Sequence, residues 1–367
     1  MNHHRRAALR ALAFALAASL SSPAAFAQAD WKQTLAAANK EGALVVLTAP
    51  SPAFRETVLG AWKRDHPGIT LSLTVMQGDQ FYTRVKTERS TGRFLWDASV
   101  TGAINSYDWL RGGFLDPLLP ELVDPEVNDP KVWGGWDKAF YDNEKRYVFG
   151  MQEILRQIFY NTKLVSPDTI KAKGLDILFD PGLKGKILWL DPNLPGAGQS
   201  LGYVMRKTLG DEKLKQFIQS GQVVFLRTPR EIGERMARGL AAISMGPTPQ
   251  AMLQPFEKAG VKIDIRPLGN TPELGTFVTS AGTALSVFNR RPHPNATRVF
   301  VNWLLSQRIQ AELSKGVIEN SRRLDVPRVV PPERSAVAGL NYLDPVRQAN
   351  EPEVDAAIEW LKQLRGL

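Results

Sequence analysis

The chain has 367 residues, a formal net charge of +9, no cysteine and four histidines. That length suits two lobes better than one small core, and the absence of cysteine excludes disulfides, thiol nucleophiles and cysteine-ligated zinc. The positive surplus is mild and favours anionic ligands or surfaces, and the lack of a long Lys/Arg run gives nucleic-acid binding little weight.

Met1–Arg10 carries Arg5, Arg6 and Arg10, Ala11–Leu20 is an almost unbroken apolar run, and Ala25-Phe26-Ala27 offers small residues before Gln28. This order predicts a secretory signal peptide over residues 1–27, cleaved after Ala27, and a mature protein that works outside the cytoplasm. The apolar run breaks at Ser21-Ser22-Pro23, short of the ~20 residues a spanning helix needs. Arg5-Arg6 is a faint sign of twin-arginine export, and no lipobox cysteine tethers the chain. Removing this segment lowers the net charge to +6 and leaves only His66 and His293. Neither has metal-ligand spacing, and a Ser/His/Asp triad would depend on one of these two, so no metal, no cofactor and no enzymatic activity are expected.

In chain order, Asp30 is read as the cap of a helix to about Lys40, with Gln33 at the capping-box position and Gly42 past its end. Ala43–Leu47 reads as a short buried strand. The loop Thr48–Pro52 leads into a helix that aligns Phe54, Val58 and Trp62 on one face. Ile69, Leu71, Leu73 and Val75 alternate as a strand, Gln80–Thr91 reads as a helix, and Asp97–Val100 as a third strand. Gly112–Trp136 is an irregular connection. Strand character resumes over Val148–Tyr160, again at Lys186–Leu190 before a helix from Ser200, and at Leu240–Met245. Val278–Leu285 reads as a return crossing, Ala296–Leu305 as a helix, and Val354, Ile358 and Leu361 form an amphipathic stripe near the end. Alternating strands and helices predict an α/β fold, with ligands at loops beyond the strand C-termini: Thr48–Ala53, Gly78–Gln80 and Thr101–Asn105 in the first region.

Several segments resemble bacterial periplasmic solute-binding proteins of ABC importers. These are Ile158–Val165, Asp180–Lys186 with Asp191-Pro192, Ala237–Ile243, and Arg291–Ala296 running into Phe300–Ser306. The subgroup resembled is the ferric-ion-binding type. The resemblance implies a two-lobed periplasmic-binding-protein clamshell with hinge crossovers, one lobe formed by 28–150 plus 278–367 and the other by 151–277. It also implies a ligand held in the cleft, delivery to an inner-membrane ABC permease, and a monomer.

The resembled iron binders hold their metal with tyrosines in the second-lobe loop and a His/Tyr pair in the first. Here those loops read Ser244–Gln250 and Thr48–Pro52, with neither residue type; Tyr82, Tyr107, Tyr160 and Tyr203 lie elsewhere. What remains is hydroxyls, backbone N–H groups and arginines, which suit a small organic anion of carboxylate or phosphonate type. The candidate ligand residues are Thr48, Ser51, Gln80 and Thr101 in the first lobe, with Gln199, Ser200, Ser244 and Thr248 in the second. Arg156 joins them, two residues before Ile158–Val165, the segment that resembles the family's hinge strand, and Arg84 and Arg230 are the next arginines. Bland alternatives stand beside these: Ser51 and Ser200 as helix caps, Arg84 and Arg230 as surface charges, Trp189 and Phe277 as core rather than an apolar ligand wall. Gly196–Gly202 nearly matches a dinucleotide fingerprint, with its third glycine one residue late. The alternatives to the organic-anion reading are a ferric-iron importer and, less favoured, a periplasmic enzyme on the same fold.

Overall fold

The computed structural model describes residues 23–366 apart from 77, 195, 249–251, 254–255, 257–258 and 280–283. Most of the expected signal peptide therefore lies outside the described residues. The strands are β1 (Ala43–Thr48), β2 (Thr70–Val75), β3 (Ala98–Thr101), β4 (Leu115–Asp116) and β5 (Phe149–Gly150). They continue as β6 (Gln152–Arg156), β7 (Phe159–Asn161), β8 (Ile187–Leu190), β9 (Val223–Leu226) and β10 (Ile243–Met245). The last are β11 (Ile265–Pro267), β12 (Phe277–Thr279), β13 (Ala284–Phe288) and β14 (Asn320–Ser321).

One sheet has the order β2-β1-β3-β13-β4, with β5 also on β13; a second has the order β11-β7-β10-β8-β9. Each contains a parallel centre, β2-β1-β3 and β10-β8-β9, flanked by antiparallel strands. A third sheet, β12-β6-β14, is antiparallel. The chain passes from β5 through β6 to β7, so the crossing strand is β6, just upstream of the expected Ile158–Val165 segment. It returns through β12 to β13. The part of that return at 280–283 lies outside the described residues.

The first sheet is covered by α1 (Pro23–Glu41), α2 (Pro52–Asp65) and the Pro294–Leu305 helix. Asp30 falls inside α1 rather than at its cap, because the alanine-rich run after Pro23 propagates helix upstream and proline fits a first turn. On α2, Phe54, Val58 and Trp62 are buried as the spacing predicts. Trp62 meets Phe300 and Trp303 edge-on at 5.6 and 5.0 Å, locking the two helices together. Leu71 and Leu73 of β2 are buried, whereas Val75 at the strand end is exposed.

The second sheet packs on α7 (Ala197–Gln219), which begins three residues before the expected Ser200. A Cβ on Gly198 would lie 2.1 Å from the Leu190 carbonyl oxygen, so this glycine lets the helix start hard against the end of β8. The other side of the sheet carries α8 (Pro229–Ala237).

The C-terminal Glu351–Arg365 helix does not join the first core, where the expected lobe limits put it. Its stripe of Val354, Ile358 and Leu361 is buried with Trp189, Leu201, Met205 and Phe217 of the second core. An amphipathic stripe specifies that it must be covered, not by what. The acceptor is α7, where a Cβ on Gly202 would lie 2.7 Å from Leu361 Cδ1. The late third glycine of the near-fingerprint is therefore a packing glycine. Among the described residues no helix is long and apolar enough to cross a membrane.

Leu361→Ala is expected to cost about 2–5 kcal/mol in urea unfolding, as for buried leucines generally. The accompanying loss of amide-exchange protection should fall on 158–277, not on the first sheet; protection lost mainly from β1–β3 would refute the assignment.

Candidate functional site

Strands β9, β8 and β10 run parallel, so their C-terminal ends meet at one edge. Helices α7 and α8 start at that edge. Between them lies a recess of about 300 Å³ whose walls include Leu190, Ala197, Arg227, Arg156, Pro247 and Thr248. Recesses at the C-terminal ends of parallel strands are where such sheets collect ligands.

The two helix N-termini differ. α8 is closed by its own capping box: the Thr228 hydroxyl accepts from Glu231 N–H at 3.2 Å, and the Glu231 carboxylate accepts from the Arg227 and Thr228 N–H groups at 3.2 Å. α7 has Gly196 before its first residue, no side-chain cap and no acid in its first turn. Its first N–H groups and the positive end of its dipole are left for something else to meet.

Arg156 ends β6 and is half-buried. Among the described residues its guanidinium has no hydrogen bond and no ion pair within 4 Å. Burial lowers its pKa, and the nearby Glu319 carboxylate partly restores it. Arg227 also lines the recess and is exposed. No carboxylate lines this recess among the described residues. A second recess shares Arg156, Pro247 and Thr248, and adds Ile318, Glu319 and Arg334.

Of the expected ligand residues, Arg156 and Thr248 are brought together here. Gln199 and Ser200 lie in the first turn of α7 behind Ala197, with Ser200 buried, and neither lines the recess. Ser200 is not the cap either, since Gly196 holds that position. Thr48 and Thr101 are buried at the adjoining ends of β1 and β3, and Ser51 caps α2 by accepting from Phe54 N–H at 3.3 Å. These three gather at the matching edge of the first sheet but line no recess with Arg156.

Gln80 is exposed on α3 (Gly78–Ser90), beside Arg84. Arg84 pairs with Glu88 at 2.9 Å and lies 4.9 Å over the Trp96 ring, which keeps it out of the site. Arg230 is an exposed charge on α8 and does not line the recess. Ser244 lies opposite Leu188 on the face of β10 that packs under α8; it is fully buried and its hydroxyl has no partner among the described residues. Pro249 and Gln250 of the same loop lie outside the described residues. Trp189 and Phe277 are core residues and offer no ligand wall.

Arg227, Glu319 and Arg334 were missed. Arg227 had a signal, because it sits between the strand-like Val223–Leu226 and the Thr228-x-x-Glu231 capping pattern, at a strand end facing a helix start. Glu319 had none: only the pairing of β14 with β6 brings it near Arg156.

Tyr82, Tyr107, Tyr160 and Tyr203 do not line this recess. Tyr107 donates to the Val346 carbonyl at 2.5 Å, and burial raises its pKa. The Tyr203 hydroxyl bonds Glu353 at 3.2 Å, and its pKa is pushed up to about 12, mainly by burial. Tyr160 is buried in β7 and Tyr82 stacks on Phe114. Among the described residues no group of three His, Cys, Asp or Glu side chains is placed to hold a metal ion.

The chain belongs to the bacterial extracellular solute-binding proteins, whose family model matches residues 45–311. Its two-lobed fold is shared by solved periplasmic binding proteins of ABC importers. It is similar to iron-bound HitA from Pseudomonas aeruginosa, at 16% identity and TM-score 0.65 over 88% of this chain and 99% of that one. The ferric binding protein from Campylobacter jejuni gives the same identity, TM-score and coverage. AfuA from Actinobacillus pleuropneumoniae, solved with fructose-6-phosphate, is also 16% identical, with TM-score 0.59 over 88% of this chain and 99% of that one. No curated protein sequence matches the chain.

Ser244→Ala is expected to leave stability unchanged or raise it by about 1 kcal/mol, because it removes a buried hydroxyl with no partner. A loss above ~1 kcal/mol in thermal unfolding would show that the hydroxyl is engaged in solution.

Proposed function

We propose that this protein captures a small organic anion of carboxylate or phosphonate type in the periplasm and delivers it, as a monomer, to an ABC permease. The observation that carries this reading is the recess at the start of α7, which combines two arginines, an uncapped helix N-terminus and no carboxylate. Arginine grips such acid groups in a fork, and the uncapped turn adds N–H donors along the helix dipole. Thr248 supplies a hydroxyl, and Leu190 and Pro247 face the ligand's carbon skeleton. The ligand is held between lobes, with Thr48, Ser51, Gln80 and Thr101 on the opposing edge; closure follows from contacting both sides at once.

Fructose-6-phosphate in AfuA shows a compact organic anion on this fold, and the iron in HitA shows a metal on it. The donors here favour the first. Hard ferric ion needs anionic oxygen ligands, and a wall of two arginines repels a bare trivalent cation. Iron would need an accompanying anion to enter.

The test is a thermal-shift screen of protein lacking residues 1–27, refolded to strip carried ligand, against small carboxylates, phosphonates, sugar phosphates, and ferric citrate beside citrate alone. A ligand at 100-fold over its Kd should add about 2.7 kcal/mol. Arg156→Gln and Arg227→Gln should each weaken the binding anion by roughly 10- to 100-fold, the loss of one charge-assisted hydrogen bond. A shift that appears only with iron, or none with any anion, would refute the reading.

A further inference from the structure

Arg156 lines both recesses, so this one residue faces two different environments. On the α7 side are Arg227 and the uncapped helix start. On the other side is Glu319, delivered by an unusual piece of backbone. The Gln307–Val317 helix ends at Ile318, which has φ 58° and ψ 48°. That left-handed conformation is strained for a β-branched residue, and such strain persists only where the surroundings enforce it. Past this turn the chain enters β14, antiparallel to β6, with Asn320 opposite Glu153 and Ser321 opposite Gln152. Glu319 thereby lines the same recess as Arg156, carried by a segment that follows a helix of the first core.

We propose that Glu319, in the same recess though beyond ion-pair contact, is the resident counter-charge of Arg156, and that an anionic ligand captured at the start of α7 competes with it for the guanidinium. The proposal rests on the reading of Arg156 as the ligand's grip. The other charged groups of this recess are Glu153 and Arg334. Glu153 is already engaged by Arg328 at 2.6 Å. Arg334, from the turn Pro332–Arg334, has its pKa lowered by burial, with Glu333 opposing.

Such an arrangement couples capture to a proton. Burial pushes the Glu319 carboxyl up to about 7, with Arg156 pulling the other way. Above that pH the ionised carboxylate neutralises Arg156; below it the protonated acid leaves the guanidinium bare. A bound anion takes over Arg156 and raises the Glu319 pKa further, so binding takes up a proton. Anion affinity therefore rises as pH falls from the raised pKa of the complex to about 7, by at most about tenfold per pH unit, and levels off below. Glu319 is thus a positioning and selectivity residue: it sets how strong an acid group must be to claim the arginine.

Carbon-13 carboxylate NMR of the glutamate-labelled protein tests this, with Glu319→Gln identifying the resonance. The probes are sulfate and fumarate, both dianions across pH 5 to 9. The expected result is a midpoint near neutrality, raised by about one unit in Arg156→Gln, and raised by either dianion in wild type but not in that variant. An ordinary glutamate midpoint, or one indifferent to Arg156→Gln, overturns the counter-charge pair. A midpoint that responds to Arg156→Gln but to neither dianion overturns the anion reading and leaves the pair standing. Dianions that stabilise the protein through Arg156 without moving the Glu319 midpoint overturn displacement alone. If Arg156→Gln does not fold, proton uptake on fumarate addition, measured calorimetrically in two buffers, decides: uptake in wild type and none in Glu319→Gln supports displacement. Equal uptake in both, or no fumarate binding, overturns it.

Discussion

A guanidinium taken part-way out of water without a close partner is the constraint on which the site depends. Desolvating a charge is costly unless something compensates it. At Arg156 the compensation is distributed: one carboxylate on the far side of the hinge strand, and an open recess on the near side. A fully paired arginine, such as Arg323 with Asp325 at 2.8 Å, is satisfied as it stands and has nothing to offer a ligand. The incompletely satisfied one is where binding energy is available.

The surrounding architecture keeps that charge in place. β6 is paired by β14 at its start and by β12 at its end, where Arg156 lies opposite Phe277. The parallel β10-β8-β9 centre sends its helices out from one edge, and glycines at 198 and 246 let strand, helix and loop close up there; a Cβ on Gly246 would lie 3.2 Å from Leu190 Cβ. The cap on α8 matters for the opposite reason. By consuming its own first-turn donors it leaves α7 as the end that faces the recess with donors unspent.

Much of the fold was legible in the sequence, and the reason is periodicity. Leu71 and Leu73 alternate, and Phe54, Val58 and Trp62 recur at helical spacing, because each must fill one face of a core. The site was legible only where chain order and spatial order coincide. Thr248 comes three residues after the Leu240–Met245 strand, and Arg156 lies two residues before the Ile158–Val165 segment; both line the recess. Ser244 sits one pleat out of phase with Ile243 and Met245, and a string does not tell which face of a strand meets the cleft. Glu319 and the destination of the C-terminal stripe depend on pairing between distant segments, which local pattern does not encode.

The docking of residues 354–361 into the second core has a bearing on folding. The first core includes residues 285–313, and the second needs the last helix of the chain. Each core therefore joins segments far apart in the chain, 38–151 with 285–313 in one and 158–277 with 354–361 in the other. Closing loops of that length costs chain entropy before the distant contacts repay it, so the packing of each half belongs to the late part of folding.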